Sequence, residues 1–192
     1  MNNCSFAGAE KGKGKIMVGT GLLIARLIVG LAMAAHGAQK AFGFFGGHGL
    51  KATSGFFESL GYRPGVLFAA SAAYGEIVGG ILTALGLFGP VGPALIVLLM
   101  IVAAGSVHLR NGFFASGNGV ELNAFYVAAS LALAFAGPGV FSFDTLAGLD
   151  QYFSAQVDAV VVGAGIVVGF LSLAIRRTTA SAASPSASRP GA

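Results

Sequence analysis

The chain has no tryptophan, a single cysteine, and only seven acidic residues among 192. The lone Cys4 excludes a disulfide within the chain, a CxxC redox pair and a thiolate metal cage, so any redox chemistry here does not run on the chain's own thiols. Charged residues make up 9% of the sequence, against roughly 25% in a soluble domain. That shortage excludes an ordinary soluble fold, which must cover its exterior with polar groups. The surplus of four positive charges sits mainly at the ends and in one loop: Lys11, Lys13 and Lys15, then Lys40 and Lys51, then Arg176, Arg177 and Arg189. No basic stripe with interleaved aromatics appears, which argues against a nucleic-acid partner. Basic ends suit anionic lipid head groups instead.

What the sequence does hold is apolar length. Hydrophobic residues account for 55% and glycine for 31 positions. About twenty apolar residues span a bilayer as a helix. Five segments qualify or come close: 16–35, 66–88, 93–109, 120–136 and 157–175. The expected fold is all-α, a polytopic transmembrane helical bundle. "KGKGK", an apolar run and "AMA" at 32–34 imitate a secretory signal, but Arg26 inside the run and the run's length argue against cleavage. Residues 1–15 read as a basic polar tail and 177–192 as a disordered one. Between them lie a membrane domain over 16–146 and, over 147–176, an interfacial segment with an extra helix. "GPVGP" at 89–93 marks a tight turn. "TSGFFESLGY" (53–62) reads as amphipathic turns with Phe56, Phe57 and Leu60 toward lipid. Asp144 is a candidate helix cap. Ser71, Gly75, Gly79 and Thr83, and again Gly165 and Gly169, form small-residue faces on which helices approach closely, within one chain or between copies in a homo-oligomer.

The few polar residues inside the apolar segments carry the functional reading. Arg26 lies ten residues before His36, and Glu76 ten residues into the second segment. Counting both from one edge places them near mid-membrane on neighbouring antiparallel helices, where a lone charge is costly. An Arg26–Glu76 ion pair is therefore expected. It serves equally well as a structural staple or as part of a site. His36, Gln39, Lys40, His108, Asn111 and Glu121 fall at the same edge and form a candidate polar site above that pair. Taken singly, each could be a side chain reaching for the head groups; together they resemble a funnel. A bis-histidine haem on His36 and His108 has no further support. A carboxylate metal site is disfavoured because Glu76 and Glu121 lie at different depths.

The motifs "RLIVGLAMAAHGAQKAFGFFGGHG", "GEIVGGILTALGLF", "MIVAAGSVHLRNGFFASGNGVEL" and "GPGVFSFD", in that order, resemble the DoxX family of small bacterial membrane proteins over about residues 22 to 146. The resemblance implies a four-helix core in the bacterial cell (inner) membrane. It also places Arg26, His36, Gln39, Lys40, Gly43, Glu76, Gly80, His108, Asn111, Gly112, Glu121 and Asp144 on motif positions. The segment 157–175 and the basic N-terminal tail depart from it. The resemblance further implies the membrane component of a quinone-linked oxidoreductase system, served by a peripheral oxidoreductase subunit.

On that reading the polar site holds a quinone head group. His36 or His108 would bond a carbonyl, Lys40 or Arg26 would stabilise developing negative charge, and Glu76 or Glu121 would pass protons. Phenylalanines at 42, 44, 45, 113 and 114 would flank the ring or form an interfacial belt. The chain carries no flavin, nicotinamide or iron–sulfur motif of its own, because the glycines of "FGFFGGHG" follow an apolar helix rather than a strand. The competing reading is a small solute or ion carrier, or a scaffold that recruits a peripheral redox enzyme, since buried ionisable residues also mark ion paths. Positive-inside counting places the polar edge in the cytoplasm.

Overall fold

A computed structural model describes residues 3–176, all of whose regular structure is helical. Helix α1 (Asn3–Phe42) is followed by the short α2 (Gly49–Ser59), α3 (Gly65–Leu85) and α4 (Val91–Ala103). A π turn at Ala104–His108 and a 3-10 turn at Leu109–Asn111 extend α4. Then come α5 (Glu121–Ala136), α6 (Phe143–Ala147) and α7 (Ala155–Ala174). Four stretches are long and apolar enough to cross a membrane: Gly12–Phe42, Gly65–Leu85, Val91–Asn111 and Ala155–Ala174. The fifth expected segment, 120–136, is a shorter apolar helix that runs from one end of the bundle to the other. That segment forms the 16-residue α5, about 24 Å long against a hydrocarbon core of about 30 Å. The stretch read as a basic polar tail is helical from Asn3, because no proline interrupts it and the apolar run behind it supplies a ready nucleus. The expected disordered tail at 177–192 lies outside the described residues.

Glycine sets the packing. On α1 and α3, Gly30 lies against the Gly80 carbonyl and Ala84, and Gly37 against Ala73 and Ile77, so closely that a Cβ at any of these glycines would overlap backbone. Such approach gives helices in lipid the van der Waals contact that hydrophobicity cannot supply there. The pairings run in opposite senses, so α1 and α3 are antiparallel. Gly75 and Gly79 turn the other face of α3 toward Leu99, Leu95 and Gly92 of α4. Gly165 meets Ala94, Gly169 meets Leu98 and Ile101, and Gly105 meets Leu173, so α7 lies parallel to α4. Both small-residue faces thus pack on α4 of the same chain.

The bundle has two unlike ends. At one, α1 finishes, α2 lies across, α3 and α5 begin and α4 finishes; this is the cavity end. At the other, α3 turns into α4, and the loop after α5 wraps α1; this is the clasp end. Leu60, expected toward lipid, is buried at the cavity end, where its carbonyl accepts a hydrogen bond from Arg176.

Candidate functional site

Arg26 and Glu76 do not meet. Helix α1 runs on past His36 to Phe42, so Arg26 is sixteen residues from its end while Glu76 is eleven from the start of α3. The close contacts of Gly30 with Gly80 and Ala84, and of Gly37 with Ala73 and Ile77, put Arg26 level with Gly86, ten residues and so about 15 Å along α3 from Glu76. The register of the glycine seam sets Arg26 beside the end of α3, and Glu76 takes Lys40 instead: the Lys40 ammonium bonds directly to Glu76 Oε1. This is the one ion pair among the described residues. Glu76 is 2% exposed, and its second oxygen, Oε2, is buried without a hydrogen-bond partner.

The clasp end explains Arg26. Its Nη2 donates to the Phe141 carbonyl at 2.7 Å, and its guanidinium occupies the space a side chain at Gly86 would need. Gly86 also has φ +64°, which glycine adopts without cost. Asp144, fully buried, supplies the nearby negative charge. Its two oxygens accept from the Phe88 and Gly89 amides at 2.9 and 2.6 Å, and its own N–H bonds the Gly86 carbonyl at 3.1 Å. Asp144 is therefore not the cap of α6. Ser142 is, through Thr145 N–H at 3.1 Å. Asp144 instead fills the anion nest made by two successive left-handed residues, Phe88 and Gly89.

The Lys40–Glu76 pair divides two cavities at the other end. The larger, about 480 Å³, lies beneath α2. Its walls are Ala52, Phe56, Phe57, Leu60, Leu99 and Val102, with His48, Thr53 and Ser106 among the polar contributors. The smaller, about 270 Å³, lies between α1, α4 and α5 and is lined by Met33, His36, Met100, Leu122, Asn123 and Tyr126. Lys40, Glu76, Ala103, His108 and Asn118 line both. The π turn at 104–108 delivers Ser106 and His108 here; such insertions recur at functional sites. Ser106 is fixed by the Tyr62 hydroxyl at 2.8 Å, and Thr53 ties α2 to the Lys40 carbonyl at 3.3 Å.

The six polar residues read from the sequence gather at this end and divide by task. His108 lines both cavities, and its Nδ1 donates to the Asn118 carbonyl at 2.9 Å, leaving Nε2 as the acceptor of the neutral ring. His36 lines the smaller cavity, with Nδ1 3.2 Å from Gln39 Oε1 and its ring edge-on to Tyr126. Lys40 stands between the cavities. Gln39, Asn111 and Glu121 instead hold loops: Gln39 donates to the Phe45 carbonyl, Asn111 to the Val107 and Asn118 carbonyls, and Glu121 accepts from the Ala115 amide at 2.7 Å. Phe42, Phe44, Phe45, Phe113 and Phe114 are exposed, and none lines either cavity, as a belt rather than a ring-binding wall would be. The sequence reading missed His48, Ser106, Asn118, Asn123 and Tyr126. Asn123 and Tyr126, spaced i, i+3 in an otherwise apolar helix, were the signal that could have found two of them.

No group of three or more His, Cys, Asp or Glu side chains suited to a metal ion occurs among the described residues. No curated protein and no solved structure matches the chain. The DoxX family model matches residues 21–109, which takes in the glycine seam, the Lys40–Glu76 pair and His108. Over that segment this helical membrane protein carries a DoxX domain.

Proposed function

We propose that the chain is the membrane component of a quinone-linked oxidoreductase system in a bacterial cell membrane, and that the cavity beneath α2 takes the quinone head group. One observation carries the reading: an apolar chamber of about 480 Å³ ends on an ion pair whose carboxylate is buried and has a spare oxygen. Apolar walls with a few convergent polar groups are the usual make-up of a small-molecule site. A quinone, when bound, accepts two electrons and two protons.

The residues divide that work. Leu99, Val102, Phe56 and Phe57 supply apolar surface for a flat ring and exclude water from it. The Lys40 ammonium has three donors and spends one on Glu76, so it can also donate to a carbonyl oxygen and oppose negative charge there. Glu76 Oε2 has no hydrogen-bond partner among the described residues and can hold or release a proton at that atom. His108 lines the same cavity, and its Nδ1 is spent on the Asn118 carbonyl, which leaves Nε2 to accept. Electrons come from a peripheral oxidoreductase subunit.

The test is saturable binding of decyl-ubiquinone to the detergent-purified chain, measured by equilibrium partition. Wild type is expected to bind, and Lys40→Met/Glu76→Gln to bind at least tenfold more weakly. Equal binding by the two proteins would overturn the site. Solute uptake by proteoliposomes holding this chain alone would point to a carrier instead.

A further inference from the structure

The family segment ends at Leu109, yet α7 adds a feature that needs both halves of the chain. Where α4 and α7 finish side by side at the cavity end, a separate cleft of about 270 Å³ is lined by Gly105, Ser106, Leu109, Arg110 and Arg176. We propose that this cleft binds the phosphate of an anionic phospholipid.

The charge balance requires a partner. Each helix C-terminus carries roughly half a negative charge, so two ends together offset about one of the two guanidinium charges. No acidic residue lines the cleft, and neither arginine makes an ion pair among the described residues. Roughly one positive charge is left over at the depth where helices meet head groups.

The donors are available as well. Arg110 spends Nη2 on the Ser106 carbonyl at 3.3 Å, and Arg176 spends Nε on the Leu60 carbonyl. Each bond aims a guanidinium at the cleft while leaving most of its five N–H groups unspent, and guanidinium forks suit phosphate oxygens. Leu109, 68% exposed beside the cleft, offers apolar surface for the acyl chain that a free phosphate lacks. Basic pockets between membrane helices are a known setting for acidic lipid head groups. The cleft is apart from the two cavities, sharing only Ser106 with the larger.

Native mass spectrometry of the full chain in detergent, with added phosphatidylglycerol or phosphatidylcholine, tests this. Wild type is expected to retain phosphatidylglycerol preferentially, with retention falling about fivefold for each arginine removed in Arg110→Gln and Arg176→Gln. Arg63→Gln, at the same end but outside the cleft, is expected to retain lipid as wild type does. Arg110→Gln alone keeps the question open to test if the Arg176 variant folds poorly, since Arg110 is exposed and makes one long hydrogen bond. A second readout is the melting temperature, raised in wild type by phosphatidylglycerol and not by inorganic phosphate. Equal retention of the two lipids, unchanged retention in Arg110→Gln, or full stabilisation by inorganic phosphate would each overturn the proposal.

Discussion

The two ends of the bundle each bury charge, but they treat it differently. At the clasp end, Asp144 has both oxygens bonded to backbone amides, and Arg26 reaches a backbone carbonyl while filling the notch over Gly86. Three segments distant in sequence are locked there: α1, the α3–α4 turn and the loop before α6. At the cavity end, Lys40 and Glu76 pair with each other, one carboxylate oxygen remains unbonded, and cavities lie on either side. Arg26 also has unpartnered nitrogens, Nε and Nη1, yet it lines neither cavity. A buried charge spent on backbone fixes a fold. One left partly unspent beside a cavity is available for chemistry.

The largest effect that separates the ends is expected from Lys40→Met. It strands Glu76 without its partner, and breaking a buried pair costs about 3–5 kcal/mol. Glu76→Gln on top of it is expected to recover most of the loss, read by denaturant unfolding in mixed micelles. Arg26→Met combined with Glu76→Gln is expected to be additive within about 0.5 kcal/mol, because the two do not touch. Strong coupling in that second cycle would restore the pairing that sequence spacing alone suggests.

Next in size is Gly86→Ala. Its φ of +64° is strained for alanine, at about 1–3 kcal/mol. The new methyl must also displace the Arg26 guanidinium. Adding Arg26→Met is expected to relieve part of the loss, whereas Lys40→Met is expected to relieve none. Asp144→Asn follows at about 1–3 kcal/mol, since an amide can accept from only one of the Phe88 and Gly89 N–H groups. Binding of decyl-ubiquinone is expected to be unchanged in it. A clasp variant that folds but loses binding would erase the distinction between the ends.

The helices were legible because membrane helices announce themselves by apolar length, and the turn at 89–93 because proline and glycine mark it. The meeting of His36, Lys40 and His108 at one end followed from counting helix ends. The partner of Arg26 did not, for a physical reason. Depth was counted from His36, but α1 continues through Gly37, Gln39 and Lys40 to Phe42, and the polar residues gave no sign that the helix had not ended. Two further turns moved Lys40, rather than Arg26, within reach of Glu76. Asp144 was visible as an acid near a helix start. Its true partners, the amides of Phe88 and Gly89, are more than fifty residues away, and backbone donors leave no mark in a side-chain pattern.

The smallest effects on stability, and the sharpest on function, are expected from the two histidines. His36→Gln and His108→Asn keep hydrogen-bonding groups at partly open positions, and each is expected to cost within about 0.5–1 kcal/mol. Their effects on decyl-ubiquinone binding are expected to differ. His108 lines both cavities and His36 only the smaller one. A head group beneath α2 therefore touches the first and not the second. Binding is expected to weaken several-fold in His108→Asn and to change less than twofold in His36→Gln, both by equilibrium partition. The reverse order would move the ligand into the smaller cavity, beside Tyr126 and Asn123. Equal and negligible effects would leave the histidines as loop anchors, with Lys40 and Glu76 alone facing the ligand.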